Sequence, residues 1–394
     1  MNPFRTFIFH TRLWILPAGI LWLFLLGINL EIGFLRFETV DAIYYRELAM
    51  DFMAGIPMTI DGLLNARDNP FSPYPPGYPV LLGLTAQIGG GSMNWPVHIV
   101  LHALLAILLI VIWQGRLSLL PLAVLFFTDS VTALAAVGIS EFSFIIFSIL
   151  AVFSLTRLQF HSQPGWQITL FLSLSAALLT RYAGIFLLPL VLYRWFFMLK
   201  ENREKASVFL FPVIVFVFLA VMLFGIQWMD TGLLTGGDRY PNSDSASVLM
   251  VSLLTALFNQ ACIFRDFSGS SWISFFSGAG MNILFVWLIF RSYKFESLAY
   301  VPVYQDESHE LFRKTLSHNL LVAGIIYLAF ITGLRWHYYF AEYYDNRLLA
   351  PGTCLIWLGL LVRREKEISA LPFFVKMGFL LTATIFLIPW KFLI

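Results

Sequence analysis

Charge is scarce in this chain of 394 residues, at 12% Asp, Glu, Lys and Arg, about half of the ~25% typical of soluble globular proteins. That scarcity argues against a water-soluble enzyme. A net charge of +2 leaves no basic footprint for nucleic acid. Cysteine is almost missing: Cys262 falls in an expected loop and Cys354 in an expected span, so no disulfide framework is expected. There is no Gly-rich nucleotide loop. His309-Glu310 starts a zincin-like string, but the fifth residue is Arg313, which excludes that metalloprotease signature. His98 and His102 stand one helical turn apart without an obvious third ligand, and the carboxylates of 238–244 (DRYPNSD) are too widely spaced for a metal motif. Neither metal nor cofactor is expected. Tandem repeats are not evident either, which weakens a transporter built from inverted halves.

What the chain has is hydrophobic sequence, 59% of residues with a mean hydropathy of +0.78. Eleven apolar segments stand out: 13–30, 93–113, 117–137, 140–156, 166–180, 182–198, 207–227, 272–290, 318–334, 348–362 and 371–389. Several approach the ~20 residues that cross a bilayer. The expected fold is therefore an all-α, multi-pass integral membrane protein with about 11 transmembrane helices, in a single polytopic domain over 1–394. The first segment follows Arg5 and Arg12 like a signal peptide, but it is long and lacks a small-x-small site, so it is read as an uncleaved span. With a cytoplasmic N-terminus, most of the 25 basic residues fall on the inner side, including those of the KENREK loop, as the positive-inside rule requires.

This parity leaves the long polar regions 31–92, 228–271 and 335–347 outside, and one longer loop, 291–317, inside. Within the inner loop, DESHELFRK reads as a surface helix with Asp306 as its cap and Glu310 one turn before Lys314. The short apolar segment 78–90 reads as an interfacial or re-entrant helix of the first outer loop. Any chemistry then belongs to the outer face, since no cytoplasmic region is large enough to fold as a catalytic domain.

The first outer loop holds Asp41 directly after the first span, with Tyr45 one helical turn on and Tyr44 beside that face. The loop ends in Ser72-Pro73-Tyr74-Pro75-Pro76-Gly77-Tyr78-Pro79, a stiff turn because each proline fixes φ and holds the preceding residue extended. Spacing alone favours an ordinary solvated helix with ordinary carboxylates. Position adds that a carboxylate at the membrane surface can reach both a soluble acceptor and a lipid-borne donor.

Asp41-x-x-x-Tyr45-x-x-x-Ala49, then Gly55, then Tyr74-Pro75-Pro76-Gly77-Tyr78-Pro79 resembles the GT-C superfamily of polytopic glycosyltransferases. It looks most like the bacterial set related to protein O-mannosyltransferases and lipid A aminoarabinose transferases. Ser140-Glu141, Thr180-Arg181-Tyr182-Ala183-Gly184 and Tyr344-Asp345-Asn346-Arg347-Leu348-Leu349-Ala350-Pro351 follow in the family's order. The chain departs from it at Asp41-Ala42, where the mannosyl and aminoarabinosyl branches have Asp-Glu, and at Asn346-Arg347-Leu348-Leu349, so the resemblance does not extend to a branch or a sugar.

The resemblance implies a GT-C-like fold in a bacterial inner membrane, with the active site extracytoplasmic. It implies transfer of a sugar from a polyprenyl-phosphate donor to an acceptor glycan, lipid or protein, without nucleic acid. Asp41 would be the catalytic base. Arg181 and Arg347 would bind the donor phosphate. One cation ~4 Å from a phosphate charge is worth roughly 4 kcal/mol at an effective dielectric of about 20. Tyr44, Tyr45, Glu141, Tyr78, His337 and Tyr344 would shape the substrate pocket.

Alternatives stand beside these roles. Arg181 also reads as a cation snorkelling to the interface or as the ion-pair partner of Glu141, and Arg347 as the partner of Asp345 or Glu342. His337 and its aromatic neighbours fit an interfacial belt as well as a sugar-stacking wall. At the level of function, the rivals are a transporter or flippase using Arg181, Glu141 and Arg347 as a polar pathway, and a non-catalytic assembly subunit.

Overall fold

The computed structural model describes residues 18–28, 40–56, 74–88, 140–201, 203–232, 241–261, 307–338 and 346–365 in essentially continuous stretches, with scattered positions elsewhere. Their regular structure is helical: α1 Val40–Ala54, α2 Gly77–Ile88, α3 Ser140–Phe160, α4 Pro164–Thr180, a 3-10 turn Tyr182–Phe186, α5 Leu187–Glu201, α6 Arg203–Thr231, α7 Ala246–Ala261, α8 Glu307–His337 and α9 Asn346–Arg363. One isolated antiparallel bridge joins Pro241 to Tyr338.

Four helical segments are long and apolar enough to cross a membrane: Ser140–Phe160, Tyr182–Glu201, Ala206–Met229 and Glu310–His337. Helices α4, α7 and α9 supply shorter apolar stretches. The protein is thus membrane-embedded and all-helical over its described residues. The expected segments 140–156, 166–180, 182–198, 207–227, 318–334 and 348–362 coincide with α3 to α6, α8 and α9. The segments 93–113, 117–137, 272–290 and 371–389 lie largely outside the described residues, whereas 13–30 is described as helix over 18–25 and 27–28.

Helix α3 is the axis of the bundle. It is 83% buried, against 33–44% for the other three long apolar segments, as expected of a helix apolar all round and enclosed by protein rather than lipid. Helix α4 returns antiparallel to it, with Pro164 opening its first turn, where proline's fixed φ and missing N–H cost nothing. Helix α8 also runs antiparallel to α3. Phe312 meets Phe153 and Phe160 near one end, and Tyr327 meets Phe144 nearer the other. The bundle therefore has a Ser140 end and an Arg157 end.

The pair α8 and α9 packs by close backbone approach. A Cβ on Gly324 would sit 2.6 Å from the Gly352 carbonyl oxygen, and one on Gly352 would sit 2.8 Å from the Tyr327 ring. Ser317 adds a 2.8 Å hydrogen bond to the Gly359 carbonyl. Small residues at such seams are how helices associate in lipid, where apolar surface alone gives no driving force. Gly324→Ala should therefore lower stability by about 1–3 kcal/mol, read as a fall in Tm of the detergent-purified protein. Gly225→Ala is the matched control, because nothing lies within 4 Å of the added methyl there.

Two features were not expected from sequence. Residues 307–337 form one continuous helix, so the anticipated surface helix over 306–314 and the following span are a single element. The ion pair Glu310–Lys314 within it forms at 3.0 Å, while Asp306 lies outside the described residues. The region 228–271 contains α7, anchored to α9 where Thr353 donates to Gln260 Oε1 at 2.8 Å and Trp357 to the Gln260 carbonyl at 3.1 Å.

Candidate active site

The site is built where the α1–α2 pair meets the Ser140 end of the bundle. Helix α1 begins at Val40, which puts Asp41 in its first turn, the position where a carboxylate meets the positive end of the helix dipole. The helix stops at Gly55, whose φ of +69° is the left-handed conformation that glycine adopts without strain.

Close packing holds α1 and α2 together and docks them onto the bundle. A Cβ on Gly83 would lie 2.7 Å from the Phe52 ring and 3.2 Å from the Ala49 carbonyl, and one on Gly77 would lie 2.6 Å from the Leu179 carbonyl. The prolines expected to return the chain to the membrane thus lead directly into a backbone contact with the end of α4. On the other side of this contact, Arg181 is a single extended residue (φ −149°, ψ 131°) between α4 and the 3-10 turn. Gly184 closes that turn against Ala177 and Leu178, with no room for a Cβ. Arg181 is therefore the apex of the tight hairpin expected at this place.

Two polar clusters result, joined by aromatic rings. In the first, Tyr74 donates to Asp41 Oδ1 at 2.6 Å, a length typical of a charge-assisted O–H···O⁻ bond. In the second, Tyr45 and Ser140 share a hydrogen bond of 2.8 Å through their hydroxyls. Arg181 pairs with Glu141. Ser140 Oγ lies 3.5 Å from both Glu141 Oε2 and Arg181 Nη1, the outer limit of hydrogen bonding.

The Tyr74 ring packs on Tyr45 at 4.8 Å between centroids, and Tyr45 meets Tyr78 edge-on at 4.9 Å. Tyr44 stands 6.0 Å from Tyr74. Each such pair adds roughly 0.5–1.5 kcal/mol beyond simple burial. Asp41 remains half-buried, Glu141 is buried, and the Arg181 side chain is 19% exposed.

Electrostatics assign donor roles to the phenols. Burial, followed by the neighbouring Asp41 carboxylate, pushes Tyr74 well above the usual phenol range. Burial raises Tyr45 as well, against a smaller opposing pull from Arg181. Both stay protonated through neutral pH. Tyr74 is thus a standing donor to Asp41, and among the described residues Asp41 and Glu141 are the carboxylates of the two clusters.

Of the residues expected at the site, Asp41, Tyr44, Tyr45, Tyr78, Glu141 and Arg181 are brought together. Arg181 has the Glu141 partner that sequence offered as one of its readings. The contacts of Arg181 to Ser140 and Glu141 run through Nη1. His337 ends α8 with an exposed side chain and joins neither cluster; its carbonyl accepts a hydrogen bond from the Asn242 amide at 3.1 Å. Tyr344 lies outside the described residues, and the Arg347 side chain is likewise outside them, although its backbone lies in α9.

Tyr74 and Ser140 were not counted among the site residues. Their signal was present in the Tyr-Pro-Pro-Gly-Tyr-Pro run and in the Ser-Glu pair opening a span. Asp244 and Arg335 were also missed: they form a 2.9 Å ion pair, with the Arg335 side chain buried. Together with the 3.0 Å bond from Asn242 Nδ2 to the Arg335 carbonyl, this pair pins 241–245 to the end of α8. Among the described residues, no three His, Cys, Asp or Glu side chains gather as metal ligands would.

No family model matches the chain, and no curated protein or solved structure matches it.

Proposed function

We propose that the chain is a membrane glycosyltransferase of GT-C-like architecture, moving a sugar from a polyprenyl-phosphate donor to an acceptor at the extracytoplasmic face. The observation that carries this reading is a half-buried carboxylate, Asp41, oriented by Tyr74, in a cluster joined through the Tyr74–Tyr45 ring contact to a second cluster holding Arg181, at the end of a bundle of apolar helices. A lipid-linked sugar carries both a phosphate that such an arginine can meet and an anomeric carbon that an acceptor can attack.

The reaction follows from these groups. An acceptor hydroxyl attacks the anomeric carbon while Asp41 takes its proton. The bond from that carbon to the phosphate oxygen breaks, and the lipid phosphate leaves with the bonding pair. The guanidinium of Arg181 meets the growing negative charge in a site of low dielectric. Glu141 holds that guanidinium in place through Nη1, and its other N–H groups face the phosphate. A single carboxylate acting as base corresponds to one displacement with inversion at the anomeric carbon.

The test is to incubate the full chain, reconstituted in vesicles, with a panel of polyprenyl-phosphate sugars and to measure release of polyprenyl phosphate with formation of a glycosylated acceptor. Release with at least one donor supports the reading. Counterflow of an intact donor without bond cleavage would replace it with a transporter.

A further inference from the structure

Arg194 lies far from the Asp41 site, in the half of the span Tyr182–Glu201 towards the Arg157 end. Its Nε donates to Oδ1 of Asn319. Asn319 is fully buried, and its Nδ2 donates to Thr156 Oγ1 at 2.8 Å. One polar string thus links α5, α8 and α3. Among the described residues, no carboxylate forms an ion pair with Arg194. Glu201, about two turns further along α5, acts on it only from a distance. The exposed His318 is also within electrostatic reach and brings no negative charge.

An arginine at the centre of a span costs about 2.5–3.5 kcal/mol. A neutral amide satisfies one of its donors, and among the described residues no carboxylate pairs with its charge. Beside it, α5 presents an exposed strip of Tyr193, Phe196 and Phe197. The Arg194 guanidinium lies 5.4 Å from the Tyr193 ring, and the Lys200 ammonium lies 4.5 Å from the Phe196 ring. Arg194 and Lys200 are separated by about 9 Å of helix rise, within reach of one phosphate for two long, flexible side chains.

We propose that this strip is a binding site for an anionic phospholipid. Its phosphate sits between Lys200 and Arg194, and its acyl chains lie along Phe197, Phe196 and Tyr193. The charge complementarity is direct: two cations, no described ion-pair partner for Arg194, and an apolar face that a lipid covers and a free anion does not. Asn319 ties Arg194 to α8 and α3 and takes no part in the lipid contact. The site is independent of the transfer chemistry proposed above.

The test titrates the detergent-purified full chain with phosphatidylglycerol, with phosphatidylcholine of the same acyl chains and with inorganic phosphate, following lipid binding and Tm. Phosphatidylglycerol should raise Tm, while phosphatidylcholine and inorganic phosphate should not. Arg194→Gln and Lys200→Gln should each weaken phosphatidylglycerol binding roughly fivefold, the effect of about 1 kcal/mol per surface cation. Asn319→Ala keeps both cations, so it should lower Tm yet leave binding within about twofold on the same scale. Lys200 is exposed, so its variant serves if Arg194→Gln does not fold. Equal shifts with phosphatidylcholine, or with inorganic phosphate, would overturn the proposal. So would unchanged binding in the Lys200 variant, or loss of binding in Asn319→Ala, which would leave Arg194 a cross-link between helices.

Discussion

Asp41→Asn should lower sugar transfer by about 10²–10⁴-fold, the range for loss of a positioned general base, without unfolding the protein. The amide is nearly isosteric and can still accept the hydrogen bond that Tyr74 donates to Oδ1, but it cannot take a proton from an acceptor hydroxyl. Burial and the Asp41 charge hold the Tyr74 phenol far above neutral pH, so Tyr74 cannot replace the lost base. Tyr74→Phe separates orientation from basicity. It keeps the ring packed on Tyr45 and removes only the hydroxyl, for a smaller loss of roughly tenfold, about 1.4 kcal/mol of barrier. Turnover of Asp41→Asn within a factor of about two of the parent, on the same barrier scale, in protein with unchanged Tm would remove Asp41 from the base role.

The long-range pairings explain why part of this site could be read from sequence and part could not. Asp41 and Tyr45 are one turn apart, and helical spacing alone puts them on one face. Arg181 stood out because a cation between two short apolar segments needs an anion, and Glu141 was the nearest described by the pattern. The Tyr74–Asp41 bond spans 33 residues and the Tyr45–Ser140 bond 95. The second joins the α1–α2 pair to the bundle, where Gly77 meets the backbone of Leu179, and no local periodicity encodes that contact.

The fold divides along the same line. Apolar length marked the positions of α3 to α6, α8 and α9. Helix α7 was hidden because its 16 residues are shorter than a span and lie within a region flagged by its polar flanks. Helix α8 was divided because its first turns are charged, although backbone hydrogen bonding continues without a break from Glu307 to His337.

Removing one member of the Glu141–Arg181 pair should be the most damaging stability change at the site, and removing both should be far milder. Glu141 is buried and Arg181 is only 19% exposed. Glu141→Ala therefore leaves a guanidinium without its counter-charge, at a cost of about 3–5 kcal/mol. The double variant Glu141→Leu, Arg181→Met fills similar volume with apolar atoms. It should recover most of that loss, since replacing a buried ion pair with well-packed apolar groups is often neutral or stabilising.

The double variant also decides what the pair is for. If Arg181 meets the leaving phosphate, the refolded double variant is stable yet transfers sugar at least about 10²-fold more slowly, the scale for a lost electrostatic stabiliser. If the pair only joins α3 to the α4 hairpin, stability and transfer return together. Measuring Tm and turnover on the single and double variants thus separates a structural salt bridge from a phosphate-binding one. Recovery of both properties would withdraw Arg181 from the donor site while leaving the role of Asp41 untouched.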